Sequence, residues 1–510
     1  MATGIRSCGR RLRRLVWAEP DDEFERRLLR KADWLILPYL CLTADLCRLP
    51  IQISIESIVA LKMHGSQYNN VLAFFTAGYA IAMIPQNMLL LAFRPRVLFP
   101  INGFIWGMLT AVSAAATKVE HLYAIKFFQN WREALRSLTL KSNQGMAEAS
   151  TFVGAHYILG AWYKPHEIGR RAAIFSIAGQ AATLFSGPMQ TALYHNLNGK
   201  HGIAGWQWLF IVCGLITIPI TLAGIFLLPD TPATTRTRLL TAEERAYAAA
   251  RVGARDRTPV NTSLLRRLFG RWEIWVFSLL WIAGGAIESH AAWGIMTLWM
   301  RAQRTALLHP LYSIDQLNHY PLGIAGVAIL ALFVTSIWTD RRTKDRFAVN
   351  LFTASCALVS ASIVLHGGLH PDAYPRGVYF FAFYLSGATF AGQASNFSWA
   401  NELLAHDEQA RTIVLATMNV ASYAFNAWFQ VVFFKASYAP KFQKGSSLII
   451  AFCVLLAIFT CTARFFQLRD ERRAPREART LDLRAEDEGA KDSKQDDDLE
   501  PGMTSTISRG

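Results

Sequence analysis

Charge is what this sequence has least of. Only 17% of its 510 residues are Asp, Glu, Lys or Arg, against 52% apolar, and the charges are clumped. They sit at the two ends, between about 229 and 272, and in short bursts between long apolar runs. A soluble chain of this length spreads charge over roughly three domains; long uncharged stretches exclude that. Cysteine is sparse too. Cys8, Cys41, Cys47, Cys213, Cys356, Cys453 and Cys461 are scattered, mostly inside apolar runs, and none forms a CxxC pair. The spacing therefore indicates neither a disulfide framework nor a zinc site. No Walker A sequence, nucleophile elbow or metal-ligand cluster occurs, which argues against ATP drive and hydrolase chemistry, and no cofactor is expected. No signal peptide is expected either. Arg10, Arg11, Arg13 and Arg14 lead into Glu19, Asp21, Asp22, Glu23 and Glu25, not into an apolar core.

What is present is apolar sequence in lengths that suit a bilayer. A crossing helix needs about 20 mostly apolar residues. Such runs fall at about 34–54, 68–92, 97–117, 121–162 (interrupted), 171–194, 206–228, 273–300, 321–338, 347–367, 376–400, 411–434 and 446–467. These predict twelve spans, each a helix because unsatisfied backbone groups are too costly in lipid. The 15 Trp suit so many membrane interfaces. Cations gather on one side: Arg94 and Arg96; Lys164, Arg170 and Arg171; nine arginines between 236 and 271; Arg341, Arg342, Lys344 and Arg346; and Arg411. That asymmetry puts both termini in the cytosol. It also accounts for the net charge of +15 without nucleic acid as a partner.

The expected division is a cytosolic segment 1–32, a six-helix bundle 33–228, a cytosolic linker 229–272, a second bundle 273–467 and a disordered tail 468–510. Pro229-Asp230-Thr231-Pro232 opens the linker as a turn, and Thr241 with Glu243 and Glu244 signals a helix N-terminus there. The halves repeat weakly. His166-Glu167-Ile168-Gly169-Arg170-Arg171 after span four corresponds to His406-Asp407-Glu408-Gln409-Ala410-Arg411 after span ten. Corresponding loops with corresponding charge are what parallel six-helix repeats produce. The fold class is thus an all-α membrane protein of two six-helix pseudo-repeats. One irregularity stands out: residues 130–144, including Arg132, Glu133 and Arg136, interrupt span four with charge that is expensive at membrane depth.

Several segments resemble a known family. They are Met63-His64-Gly65-Ser66-Gln67-Tyr68-Asn69, Ile84-Pro85-Gln86-Asn87, Arg94-Pro95-Arg96, the stretch Gly145 to Tyr163 with Glu148 and His156, Gly205 to Phe210, Leu228 to Pro232, and Gly392 to Asn401. Together they resemble the fungal allantoate permease family, a branch of the anion:cation symporters in the major facilitator superfamily, and in particular its pantothenate transporter-like members. The resemblance covers about 60–467. It implies the twelve-helix major facilitator fold and proton-coupled uptake of a small organic anion, with pantothenate, allantoate, nicotinate, biotin, cysteine or dipeptides as family substrates. The expected partners are that substrate, protons and the lipid bilayer, for a monomer in the plasma membrane. Three departures stand against the pattern. Asp45-Leu46-Cys47-Arg48-Leu49-Pro50 replaces an uninterrupted end of span one. Lys126 replaces an Arg and is separated from Glu148 by the insert. The acidic residue expected after span two is missing, although Asp340 supplies it after span eight. The first two fit either divergence or retained non-coding sequence in the gene model.

A carrier needs polar groups near the bilayer midplane, between its halves. Glu288 is central in span seven and is the first candidate for proton coupling, with Glu148 in reserve. His290, two residues on, points about 200° round the helix. Lys126 is the best cation for an anionic substrate, or else a lysine that snorkels outward. Gln180, Gln393, Asn396, Asn401, Asn419 and Asn426 offer amides, which bind substrate or tie helices together. Arg94, Arg96, Asp340, Arg341 and Arg346 are candidates for a gating latch, against the plainer reading of loop charge. The alternatives to a proton-coupled carrier are a non-transporting sensor or inactive paralogue and, less favoured, a multispanning membrane enzyme. Deleting 130–144 is expected to restore a continuous span four and to raise expression or uptake, measured side by side with the parent. A deletion that lowers both would make the segment a working part.

Overall fold

A computed structural model describes residues 22–48, 94–125, 151–232, 234–237, 239–252, 266–267, 269–292, 294–303, 311–341, 345–405, 407–434 and 438–497. Among these the secondary structure is helical, with no strand. The longer helices are α1 (Glu23–Arg48), α2 (Pro95–Ser113), α3 (Thr151–Trp162), α4 (Pro165–Leu197), α5 (Gly205–Leu227) and α6 (Ala242–Val252). They continue with α7 (Trp272–Ala292), α8 (Ile295–Ala302), α9 (Ile314–His319), α10 (Leu322–Arg341), α11 (Arg346–Leu369), α12 (Arg376–Ser386), α13 (Ala391–Leu403), α14 (Glu408–Phe433) and α15 (Gln443–Asp497). Among the described residues, five helical stretches are long and apolar enough to cross a membrane, at Gly205–Leu227, Trp272–Ala302, Asp315–Thr339, Arg346–Leu369 and Gln443–Arg473. The expected span 68–92 and the insert 130–144 lie outside the described residues.

Two expected spans are subdivided. Span seven turns at Gly294, in the left-handed region at φ 67°, between α7 and α8. Span ten tightens into a 3-10 turn at Gly387–Phe390 between α12 and α13. The last helix is longer than expected: it continues to Asp497 where the sequence reading has a disordered tail from 468. The added stretch is rich in Ala, Arg, Glu and Leu, all good helix formers. By its contacts the chain forms one compact unit, Met1–Thr460, and a second, Cys461–Gly510.

Within the first unit, α2 and α5 pack closely. Gly103 and Gly107 on α2 meet Thr221, Thr217 and Ile218 on α5, the small-residue contact that lets helix backbones approach where lipid supplies no hydrophobic drive. In the second half α7 packs on α14, and α11 on α12 and α13. The halves meet where α4 packs against α10 and α13, and where α3 touches α13 and α14.

At one end of the unit, called here the linker end, charges knit α6 to the first half. Arg251 on α6 pairs with Glu167 on α4 and Glu25 on α1; Lys164 also reaches Glu25, at 3.0 Å. Lys31 of α1 pairs with Glu244 of α6 at 2.6 Å. Thr241 caps α6 reciprocally with Glu244. Burial by itself pushes the Glu25 carboxyl up, but Arg251 and Lys164 outweigh it and hold it below its ordinary value. Glu244 is likewise held low, burial being outweighed by Lys31 and by the Thr241 cap. A carboxyl whose pKa is depressed on folding contributes stability that is present above the free value, about 4.3, and lost as pH falls through the folded value. Docking of α6 is therefore expected to be intact at neutral pH and to loosen only below about pH 4, read as hydrogen exchange of α6 corrected for intrinsic rates. Arg251→Met strands Glu167 and is expected to cost on the order of 3 kcal/mol of docking at neutral pH; unchanged exchange in that variant would show the network to be ornamental.

Candidate functional site

Three helices meet within the first unit: α7, α13 and α14. The α7–α13 contact is an antiparallel ladder. Phe277 meets Trp399 edge-on with ring centroids 5.4 Å apart, and Trp281 meets Phe397 at 5.3 Å. Gly284 comes next, facing the Asn396 amide. Continuing the ladder by one helical turn on α7 brings Glu288 to the level of Gly392 and Gln393 on α13. Glu288 is half-buried there. Asn396 accepts from Asn350 of α11 at 2.7 Å, leaving Asn396 Nδ2 and Asn350 Oδ1 without partners among the described residues. Gln393 is buried on the same helix. The ladder thus carries a carboxyl and three amides at the join of α7, α11 and α13.

The α7–α14 contact is a second polar seam. Asn419, Ser422, Asn426 and Gln430 fall at helical spacing on one face of α14. Opposite them, α7 offers Gly285 and Ser289. Gln430 donates to the Ser289 hydroxyl, and Asn426 donates to the Ser422 carbonyl at 3.0 Å. Asn426 Oδ1, Gln430 Oε1 and Asn419 Nδ2 lack partners among the described residues. His290 is buried against Phe434, its ring nitrogens without partners among the described residues, on a different face from Glu288. The structure therefore separates Glu288 and His290.

A third seam joins the halves towards the linker end. Phe152, His156 and Gly160 lie one turn apart on α3, facing Phe397 and Asn401, one turn apart on α13. Phe152 meets Phe397 at 4.9 Å and His156 meets it at 5.0 Å. A side chain at Gly160 would collide with Asn401 Oδ1, only 2.7 Å from where a Cβ would sit, so only glycine permits this approach. Arg411 of α14 crosses the same gap and donates to the Gly160 carbonyl at 3.2 Å. Neither amide atom of Asn401 has a partner among the described residues.

The remaining candidates fall away from these seams or outside them. Lys126 and Glu148 lie outside the described residues. Gln180 is buried on α4. Arg94 is exposed, and Arg96 donates through its backbone to Asp230 at 3.1 Å and through Nε to the Ile225 carbonyl, both at the end of α5. Asp340 and Arg341 end α10. Arg346 is buried in a bidentate pair with Glu402 of α13, inside the second half. A second bidentate pair, in the first half, joins Arg171 to Asp33 at 2.7 and 2.8 Å. Sequence reasoning missed Asn350, Ser289, Ser422, Gln430, His156 and Gly160 as site residues. For Ser422 and Gln430 the signal existed: they continue the stripe already marked by Asn419 and Asn426.

Comparison with known proteins agrees with this architecture. The model of the Major Facilitator Superfamily matches residues 34–427. Pantothenate transporter liz1 of Schizosaccharomyces pombe is 33% identical over 88% of this chain and 84% of its own length. Pantothenate transporter FEN2 of Saccharomyces cerevisiae is also 33% identical, over 88% of this chain and 85% of its own. Among solved structures, the proton:xylose symporter XylE bound to 6-bromo-6-deoxy-D-glucose has a TM-score of 0.60 at 14% identity, covering 84% of this chain and 95% of that one. The human organic anion transporter MFSD10 has a TM-score of 0.53 at 13% identity, covering 84% and 99%. The chain belongs to the Major Facilitator Superfamily. It is a multi-pass membrane protein and a secondary transporter of small organic substrates, not an enzyme.

The α7–α14 seam yields a stability test. A Cβ at Gly285 would lie 2.0 Å from Ser422 Oγ. Gly285→Ala is expected to destabilise by about 1–3 kcal/mol through overpacking, and adding Ser422→Gly to recover most of it. Melting temperature in detergent reports both. A neutral Gly285→Ala would mean that the helices stand further apart than described.

Proposed function

We propose that this protein takes up a small organic acid of the pantothenate kind together with protons, across the plasma membrane, through twelve spans with both termini in the cytosol. The observation that carries this reading is the likeness to pantothenate transporters of two yeasts over most of the chain. The chemistry supports it. An organic acid is anionic at neutral pH, and its entry into a negative cell interior opposes the field by about 2.3 kcal/mol per charge per 100 mV. Protons carried with it offset that cost and need a group that binds and releases them at the centre of the carrier. Glu288 is the described carboxylate in that position, level with Gln393 and near the Asn350–Asn396 pair. These amides suit the hydroxyl and amide groups of such a substrate, and Asn419 and Asn426 line the neighbouring seam. Glu148 and Lys126 are retained as the reserve proton site and the substrate cation. Arg94, Arg96, Asp340, Arg341 and Arg346 are retained as the gating latch. The departures at Asp45–Pro50 and 130–144 favour one second reading, an inactive paralogue or sensor.

Radiolabelled pantothenate uptake in a yeast auxotroph lacking its own transporter decides between them. Accumulation above background is expected to rise as external pH falls. Glu288→Gln is expected to abolish accumulation and its pH dependence, while exchange of labelled for unlabelled substrate survives. An unchanged pH profile in that variant, at equal surface level, would remove Glu288 from coupling. No uptake by the parent of pantothenate or of any other small organic acid offered would favour the sensor.

A further inference from the structure

We propose that His156 is a second proton-carrying group of the transport cycle, and that the seam between α3 and α13 closes only over its neutral form. The proposal rests on the transport reading above and deepens it. His156 Nδ1 lies 2.9 Å from the Phe152 carbonyl oxygen. A carbonyl oxygen only accepts, so Nδ1 carries a proton, and in the neutral ring Nε2 presents a lone pair. That lone pair has no partner among the described residues, in a side chain 0% exposed. The walls around it are rings from both halves. Phe152 lies at 4.6 Å and Phe175 at 5.8 Å on the first half's side, and Phe397 at 5.0 Å on the second's. A histidine serving only to fill space there strands an acceptor that an aromatic or aliphatic side chain would not.

Protonation of Nε2 changes the balance. The imidazolium would be closed among hydrocarbon rings, and the attraction of their faces for a cation is weaker than the loss of water. The charged groups on the packed elements do not compensate. On α4, Arg171 stands one turn from Phe175 and is held by Asp33, while Glu167 is paired with Arg251. On α13, Glu402 is paired with Arg346. At the start of α14, Arg411 lies over Gly160, one turn from His156, and Asp407 is engaged by Arg267 and Arg271. On α7, which reaches Phe397 through Trp281, Glu273 is paired with Arg271 and Glu288 lies two turns beyond Trp281. Among the described residues, α3 itself contributes only Tyr157 besides His156, and Tyr163 follows its end. Arg411, one turn along the same seam, is a cation and opposes another.

The cycle follows. A proton reaching Nε2 by way of water makes the ring cationic, and the Phe152–His156–Gly160 face parts from Phe397 and Asn401. The opened ring faces water and gives its proton to it. The neutral ring then permits the seam to close, with Arg411 again on the Gly160 carbonyl. One proton is taken and one released, and no other bond changes.

Ser398, fully buried beside Phe397, is the reporter position. The test places Ser398→Cys in a chain with its native cysteines replaced, purified in detergent without substrate. An impermeant maleimide is applied between about pH 7.5 and about pH 5.5, a window centred on free imidazole, and each rate is divided by that of the denatured chain at the same pH. Normalised labelling is expected to rise by up to about tenfold per pH unit on acidification, tracking the protonated fraction. His156→Gln is expected to be flat with pH, and His156→Phe flat and slow. Using both variants keeps the test open if one fails to fold. A parent that shows no pH dependence, or a Gln or Phe variant that keeps it, overturns the proposal. Because the assay contains no substrate, a chain that shows the lock but carries no organic acid sinks the transport reading alone.

Discussion

An unpaired polar group inside hydrocarbon costs more than most packing contacts return, and the arrangement of this protein follows from that. Backbone groups are satisfied within helices. Side-chain amides are turned towards other helices, as where Asn350 meets Asn396 and Gln430 meets Ser289. Charges that cannot be avoided are paired at helix ends, as in Arg171 with Asp33 and Arg346 with Glu402. Against this background the atoms left without partners among the described residues are the informative ones. Those on Asn396, Asn401, Asn419, Asn426 and Gln430 lie on α13 and α14, and that on His156 lies on the α3 face opposite α13.

The two kinds of seam do different work. The α2–α5 contact is glycine against small side chains, with backbones close, and Arg96 ties its end to the Ile225 carbonyl. The α3–α13 contact joins the halves through aromatic rings, one histidine and one glycine, beside a bond from Arg411 of α14 to the Gly160 carbonyl. A contact of the second kind has little to hold it beyond ring packing, so a modest change in charge shifts it. Alternating access asks for that division: rigid halves and a joint that can part. The linker helix α6 belongs to the rigid side, because its ion pairs run to α1 and α4 of the first half.

The site was partly legible. An intramembrane carboxyl such as Glu288 announces itself, since charge in an apolar run has few structural explanations. Amides on spans ten and eleven were visible for the same reason, and the stripe Asn419–Asn426 pointed towards Ser422 and Gln430. The partner of Arg346 was not legible. In sequence Arg346 stands beside Asp340, but in space it is bidentate on Glu402, fifty-six positions away. His156 and Gly160 carried no signal at all, because a lone histidine or glycine in an apolar helix is ordinary.

Sequence alone determined the solvent this chain lives in and the helices that follow from it, because hydrocarbon accepts no other local structure for an isolated span. It also determined the midpoint linker, where charge density and turn residues coincide. Tertiary structure decided which polar residues meet. Helix register set Trp281 on Phe397 and Gly284 on Asn396, and turned His290 to Phe434. Backbone approach at Gly160 and Gly285 fixed which seams are tight. Those outcomes depend on rotations and offsets between helices distant in sequence, set by side-chain shape at the contact, and a periodic pattern along one chain contains neither.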